Sequence, residues 1–166
     1  MHQSGINVLF VSLRNNSRST LAQACLEHLG KERFRAFSCG APGRTGSAPD
    51  TAASRALIKA AIPLSQTDCR DWTAFTQGRI IKMHFVINLA QELADSLPAW
   101  PGQPITATWP FADVVGSDGV PELVDQATWT TLLALRRRIE LLTSLPMQGA
   151  EKSAIRDDIR DMAHMR

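Results

Sequence analysis

The stretch Val8-Leu9-Phe10-Val11-Ser12-Leu13-Arg14-Asn15-Asn16-Ser17-Arg18-Ser19 passes from an unbroken apolar run into a polar loop and on into helix-forming residues. A short apolar run bounded by polar residues suits a parallel strand covered on both faces, so residues 6–12 are expected to form one. Leu21, Ala24, Cys25, Leu26 and Leu29 recur at helical spacing and Gly30 supplies a stop, which predicts a helix from Thr20 to Leu29. Strand, loop and helix in immediate succession open a βαβ unit.

The remainder continues the alternation. Phe34 to Ser38 reads as a second strand, followed by a Gly-, Pro- and Ser-rich loop over 40–49 and a helix from about Asp50 to Ala61. Met83 to Leu89 reads as a third strand, Ala90 to Leu97 as a short helix ended by Pro98, and Ile105 to Thr108 as a fourth strand before the loop Trp109-Pro110-Phe111-Ala112-Asp113. A long amphipathic helix from Pro121 to Ser144 and a tail helix from Ala150 to Met162 complete the chain. The expected fold is α/β, an open, mostly parallel four-stranded sheet with helices on both faces, in a single domain spanning 1–166.

Composition narrows the function classes. The 166 residues are 44% hydrophobic, enough for a sizeable core, and 18 basic against 16 acidic side chains give a net charge of +2. That balance offers no concentrated basic face for nucleic acid. No segment approaches the roughly 20 apolar residues of a membrane span, and no basic n-region precedes an apolar stretch, so a cytoplasmic protein without membrane partners is expected. Cys25, Cys39 and Cys69 are widely spaced with no C-x-x-C pair, which predicts reduced thiols, no structural metal and no disulfide framework. Cys25 and Cys39 read as buried structural thiols. No cofactor is expected.

The loop itself points to an anion. A helix N-terminus carries unpaired N–H groups and the positive end of the helix dipole. Leu13, Arg14, Asn15, Asn16, Ser17, Arg18 and Ser19 would wrap such an anion. Arg18 adds a planar fork suited to two oxygens of a tetrahedral oxyanion. Asn15 suits a left-handed backbone position, and Ser19 can bond back into the loop and cap the helix. Read without a ligand, the same residues make an ordinary strand-to-helix turn with Arg18 on a solvated face.

The loop resembles the Cys-x5-Arg-Ser loop of the low-molecular-weight protein tyrosine phosphatases and their arsenate reductase relatives, with Ser12 at the cysteine position. The resemblance extends along nearly the whole chain. Arg18-Ser19-Thr20-Leu21-Ala22-Gln23-Ala24 is similar to that family's helix start, and Ser38-Cys39-Gly40-Ala41-Pro42-Gly43 to its Ser-Ala-Gly stretch. Val86-Ile87-Asn88-Leu89 with Pro98-Ala99-Trp100-Pro101-Gly102, Trp109 to Asp113, and Arg138 to Leu142 with Leu145-Pro146 resemble the arsenate reductase branch.

The resemblance implies a nucleophile at position 12, an oxyanion held by the loop and Arg18, and Asp113 as general acid with Asp118 as the fallback. The family's thiolate ionises because its surroundings lower the thiol pKa to roughly 3.5–7.5. A serine hydroxyl needs an adjacent general base instead, and neither a histidine nor a carboxylate lies within this loop. His28 and His84 are distant in sequence. Val114 replaces the proline that follows the family's acid, and Ser17 replaces the second cysteine of many such loops. Reductases of the thioredoxin-coupled branch need thiols where this chain has Ala90 and Leu97, which excludes that relay.

The chain has no tyrosine, so a phosphotyrosine-lining rim would rest on Trp72 and Trp109, residues that at such positions more often belong to the core. The expected activity is therefore that of a phosphatase-like protein that binds phosphate, or a similar oxyanion on a small molecule or phosphorylated protein, with little or no turnover. One alternative is an active phosphomonoesterase whose cysteine was deliberately exchanged for Ser12. Another is an interaction protein with a vestigial anion loop, using the 121–144 helix and Arg136-Arg137-Arg138, although three adjacent arginines on a helix point to different sides and read as a solvated face.

Overall fold

The computed structural model describes residues 5–65, 68–78, 81–113, 120–147 and 152–165. Val114 and Asp118 lie outside them, as does Ala150 at the start of the expected tail helix. Four strands, β1 (Ile6–Val11), β2 (Phe34–Cys39), β3 (Phe85–Asn88) and β4 (Ile105–Thr108), form one parallel sheet in the order β2-β1-β3-β4. Register brings the strand ends level. Val11 pairs with Cys39 on one side and Asn88 on the other, and Asn88 pairs with Thr108.

Alternation along the strands divides the core in two. Val8, Phe10, Phe34, Phe85, Ile87, Ile105 and Ala107 face a large layer built by α1 (Arg18–Gly30), α2 (Thr51–Lys59), α4 (Pro121–Ser144) and α5 (Lys152–Asp161). Leu9, Val11, Cys39 and Val86 face a thinner layer made by the one-turn α3 (Thr73–Thr76), a 3-10 turn over Gln91–Leu93 and intervening loops. Helical elements therefore cover both faces, unevenly.

Several boundaries differ from expectation for local reasons. Helix α1 begins at Arg18, two residues before Thr20, because its polar first turn carries no apolar periodicity. Its first nine residues are all buried, since the helix runs between the sheet and α4. Gly30 is not the left-handed stop; it keeps φ −84°, and the turn is made by Lys31 at φ 48°. Gly30 is needed because a Cβ there would lie 2.8 Å from Phe34 Cβ. The helix expected over 90–97 reduces to the single turn Gln91–Leu93, following Ala90 in extended conformation. Helix α2 starts at Thr51, with the Asp50 carboxylate accepting from Ala52 N and Ala53 N at 3.1 and 3.4 Å.

For Trp109 the core reading holds, and for Arg138 the solvated one does not. Trp109 is fully buried, packs on Phe10 and donates from Nε1 to the Ile159 carbonyl at 2.8 Å, so it is core and lines no site. Arg138 is buried rather than solvated, and bonds the carbonyls of Met162 and Met165. Among the described residues, no helix is long and apolar enough to cross a membrane. Nor does any group of three or more acidic, histidine or cysteine side chains converge as a metal site there.

Candidate functional site

Strand order reverses around β1, which has β2 on one side and β3 on the other. In open parallel sheets the crevice at the carboxyl ends beside such a reversal is where ligands bind. Ser12 leaves β1 at that point, and its N–H donates to the Cys39 carbonyl at 3.1 Å.

The next residues are shaped by a clamp from the 40–50 segment. Ala41 N donates to Leu13 O at 2.9 Å, Gly46 N to Arg14 O at 2.9 Å, and Asp50 N to Asn16 O at 2.7 Å. Every peptide bond here is trans, so turning those three carbonyls toward 40–50 turns the N–H groups of Arg14, Asn15 and Ser17 the other way. Gly40 permits the approach: a Cβ there would meet Leu13 O at 2.9 Å and the Arg14 carbonyl carbon at 3.0 Å.

Asn15 is the hinge of the loop. It adopts φ 56°, its Nδ2 donates to Ser19 Oγ at 2.9 Å, and its Oδ1 accepts from Arg70 N at 3.0 Å. Ser19 Oγ also shares a 2.7 Å hydrogen bond with Ser12 Oγ. Ser19 thus bonds back into the loop as expected but does not cap the helix; Ser17 holds the N-cap position, without a side-chain cap bond. Ser12, Asn15, Ser17, Arg18 and Ser19 are all buried, while Leu13, Arg14 and Asn16 are half-buried.

Arg18, in the first turn of α1, is only 3% exposed. Its Nη1 donates to the Phe111 carbonyl at 2.8 Å, and the guanidinium meets Glu92 end-on, Nη1 to Oε1 at 3.3 Å and Nη2 to Oε2 at 3.2 Å. Asp113 is drawn into the same cluster. Its Oδ2 accepts from Arg14 Nη1 at 2.6 Å and stands 3.8 Å from Arg18 Nη2. Burial raises the Glu92 pKa, but the Arg18 hydrogen bond and the charges of Arg18 and Arg14 outweigh it, leaving the carboxyl below its ordinary value.

The structure therefore gathers the described candidates at the carboxyl end of β1. Glu92 and the Phe111 carbonyl were missed, as was the 40–50 clamp. A lone glutamate in an expected short helix carries no motif, and a backbone acceptor leaves no trace in sequence. His28 and His84 are elsewhere. His28 occupies the last turn of α1, roughly 15 Å along the helix from Arg18 at 1.5 Å per residue. His84 precedes β3 at the opposite end of the sheet, where its Nδ1 accepts from Asn7 N and burial, with Lys82, pushes its pKa down. Cys25 and Cys39 are buried as expected; burial pushes the Cys25 thiol up to about 12 and raises that of Cys39 further. Neither supplies a nucleophile.

No family model and no curated protein matches the chain. Solved structures do. An arsenate reductase in a phosphate-binding state superposes with a TM-score of 0.67 at 23% identity, covering 84% of this chain and 97% of its own. The arsenate reductase of Archaeoglobus fulgidus gives 0.65 at 18% identity over 83% and 99%. A low-molecular-weight phosphotyrosine phosphatase from Vibrio cholerae gives 0.66 at 21% identity over 88% and 100%.

Proposed function

We propose, from a fold shared with low-molecular-weight phosphotyrosine phosphatases and arsenate reductases, that this chain binds phosphate or a similar tetrahedral oxyanion in the 12–19 loop and turns over phosphomonoesters slowly or not at all. The observation that carries the reading is the orientation of the loop. Three of its carbonyls are tied to the 40–50 segment, which turns the N–H groups of Arg14, Asn15 and Ser17 away from that segment. Fixed amide dipoles at a helix N-terminus with a buried guanidinium hold an anion without reorganising.

Turnover fails at Ser12. Attack on phosphorus requires the hydroxyl proton to leave, and the hydroxyl's described partner is Ser19, itself a hydroxyl. A thiol in this position would instead ionise in the field that holds the anion. Ala90 and Leu97 offer no thiols for a reductive relay. The physiological ligand is then a phosphorylated small molecule or protein that is held rather than consumed, or a free oxyanion.

A second reading, an otherwise competent phosphatase withheld by Ser12 alone, is supported by Asp113, a carboxylate 2.6 Å from Arg14 and 3.8 Å from Arg18 that could serve as the acid for the leaving oxygen. Calorimetry of inorganic phosphate against the chain and against Arg18→Ala tests the main reading. The chain should bind, and Arg18→Ala should lose at least about tenfold, the scale of a charge-assisted bidentate contact. Arg18→Lys, which keeps the charge but not the fork, should fall between them. Absence of binding by the parent chain, with no rise in melting temperature in phosphate, rejects the reading.

A further inference from the structure

The guanidinium of Arg18 has five N–H donors, and their distribution is uneven. One Nη1 hydrogen goes to Phe111 O at 2.8 Å. The other faces Glu92 Oε1 at 3.3 Å, with Leu89 O at 3.5 Å, and one Nη2 hydrogen faces Glu92 Oε2 at 3.2 Å. The end of the fork is thus filled by a carboxylate of this chain. What remains without a hydrogen bond is one edge, the Nε hydrogen and the second Nη2 hydrogen, with Asp113 Oδ2 3.8 Å from Nη2.

Glu92 is not what fixes Arg18 in place. The arginine is 3% exposed and holds a shorter bond to Phe111 O, whereas the Glu92 side chain is 44% exposed and its contacts are longer. Its main effect on the site is its charge. Two anions on neighbouring edges of one guanidinium lie within about 5 Å of each other and repel, and less screening than in bulk water strengthens that repulsion.

We propose that Glu92 is a built-in counter-anion that sets the affinity and charge selectivity of the oxyanion site. It confines an incoming oxyanion to the Nε edge of Arg18 and penalises a dianion more than a monoanion. The proposal rests on the oxyanion reading of the 12–19 loop. Asp113, 3.8 Å from Arg18 Nη2 and paired with Arg14, adds negative charge to the same guanidinium, so Glu92 must be probed by substitution at fixed pH.

The test measures phosphate, sulfate and the tetrahedral monoanion perrhenate by calorimetry at pH 7 on the parent chain, Glu92→Gln and Glu92→Ala, with melting temperatures confirming that all fold. Glu92→Gln keeps the shape and removes the charge. It should bind phosphate and sulfate about tenfold more tightly, with a smaller gain for perrhenate, because Coulomb repulsion scales with ligand charge. Unchanged or weaker sulfate binding would overturn the proposal and make Glu92 a positioning residue for Arg18. An equal gain for sulfate and perrhenate would overturn it too, since loosened packing would not distinguish charge. If parent and variants alike bind none of the three, the oxyanion reading itself fails and takes this proposal with it.

Discussion

A single oxygen atom at position 12 separates the chemistry available here from that of a thiolate. Ser12 Oγ sits at the carboxyl end of β1, 2.7 Å from Ser19 Oγ, in the loop proposed to hold an anion with its amide dipoles and Arg18. A hydroxyl does not ionise in that field at neutral pH, but a thiol does. Ser12→Cys should therefore gain measurable hydrolysis of p-nitrophenyl phosphate over a silent parent, and Ser12→Cys with Asp113→Asn should lose much of that gain if Asp113 protonates the leaving oxygen. A double variant as active as Ser12→Cys alone removes Asp113 from the mechanism. Glu92 supplies a second residue-scale expectation. Its folded pKa lies below the ordinary 4.5, so its ion pair adds stability above that value and loses it as pH falls through the folded pKa. Melting temperatures from about pH 6 to pH 3 should fall more steeply for the parent than for Glu92→Gln, and parallel curves would show that the pair contributes nothing to stability.

At the scale of elements, the site is a meeting of two loops, and only one of them announced itself. The apolar run of β1 and the periodicity after Thr20 made strand, loop and helix legible, because each obeys a local rule. The 40–50 segment read as a plain loop, since its contribution is backbone N–H groups aimed at the carbonyls of Leu13, Arg14 and Asn16, and those depend on tertiary placement. For the same reason the 90–97 stretch, helical by composition, is a single 3-10 turn that brings Glu92 to Arg18. Gly40→Ala tests the clamp. Its Cβ would press on Leu13 O at 2.9 Å and on Thr45 Cγ2 at 2.9 Å, and because the first is backbone the loop itself must shift. The expected cost is about 1–3 kcal/mol in urea denaturation, accompanied by weaker phosphate binding. Destabilisation with phosphate affinity intact would mean that the clamp supports the fold without shaping the loop.

Across the whole molecule the candidate site is tied to the C-terminal segment. Arg138, read from sequence as one of three solvated arginines, is 5% exposed in α4 because its donors find backbone acceptors: Nε bonds Met162 O and Nη2 bonds Met165 O, each at 2.8 Å. A run of like charges gives no sign of which member turns inward, and the acceptors lie 24 and 27 residues away. The guanidinium also lies 4.7 Å from the centre of the Phe111 ring. Phe111 in turn donates its N–H to Leu89 O at 3.1 Å and offers its carbonyl to Arg18. The C-terminal segment, α4 and the loop carrying Asp113 thus meet at one aromatic ring, two residues before the carboxylate. Arg138→Ala removes the guanidinium donors from the Met162 and Met165 carbonyls, of which Met162 O keeps the Met165 N–H at 3.3 Å, and opens space beside Phe111, which should cost about 1–3 kcal/mol of stability. Because Phe111 O fixes Arg18, the same variant should also weaken phosphate binding several-fold at a temperature where it remains folded. Arg138→Lys, which keeps the charge over the ring but loses the planar fork, should recover part of each effect. Lower stability with unchanged phosphate affinity would confine the Arg138 clamp to holding the C-terminal segment. A parallel loss of both would show that the 12–19 loop is braced from the C-terminal segment.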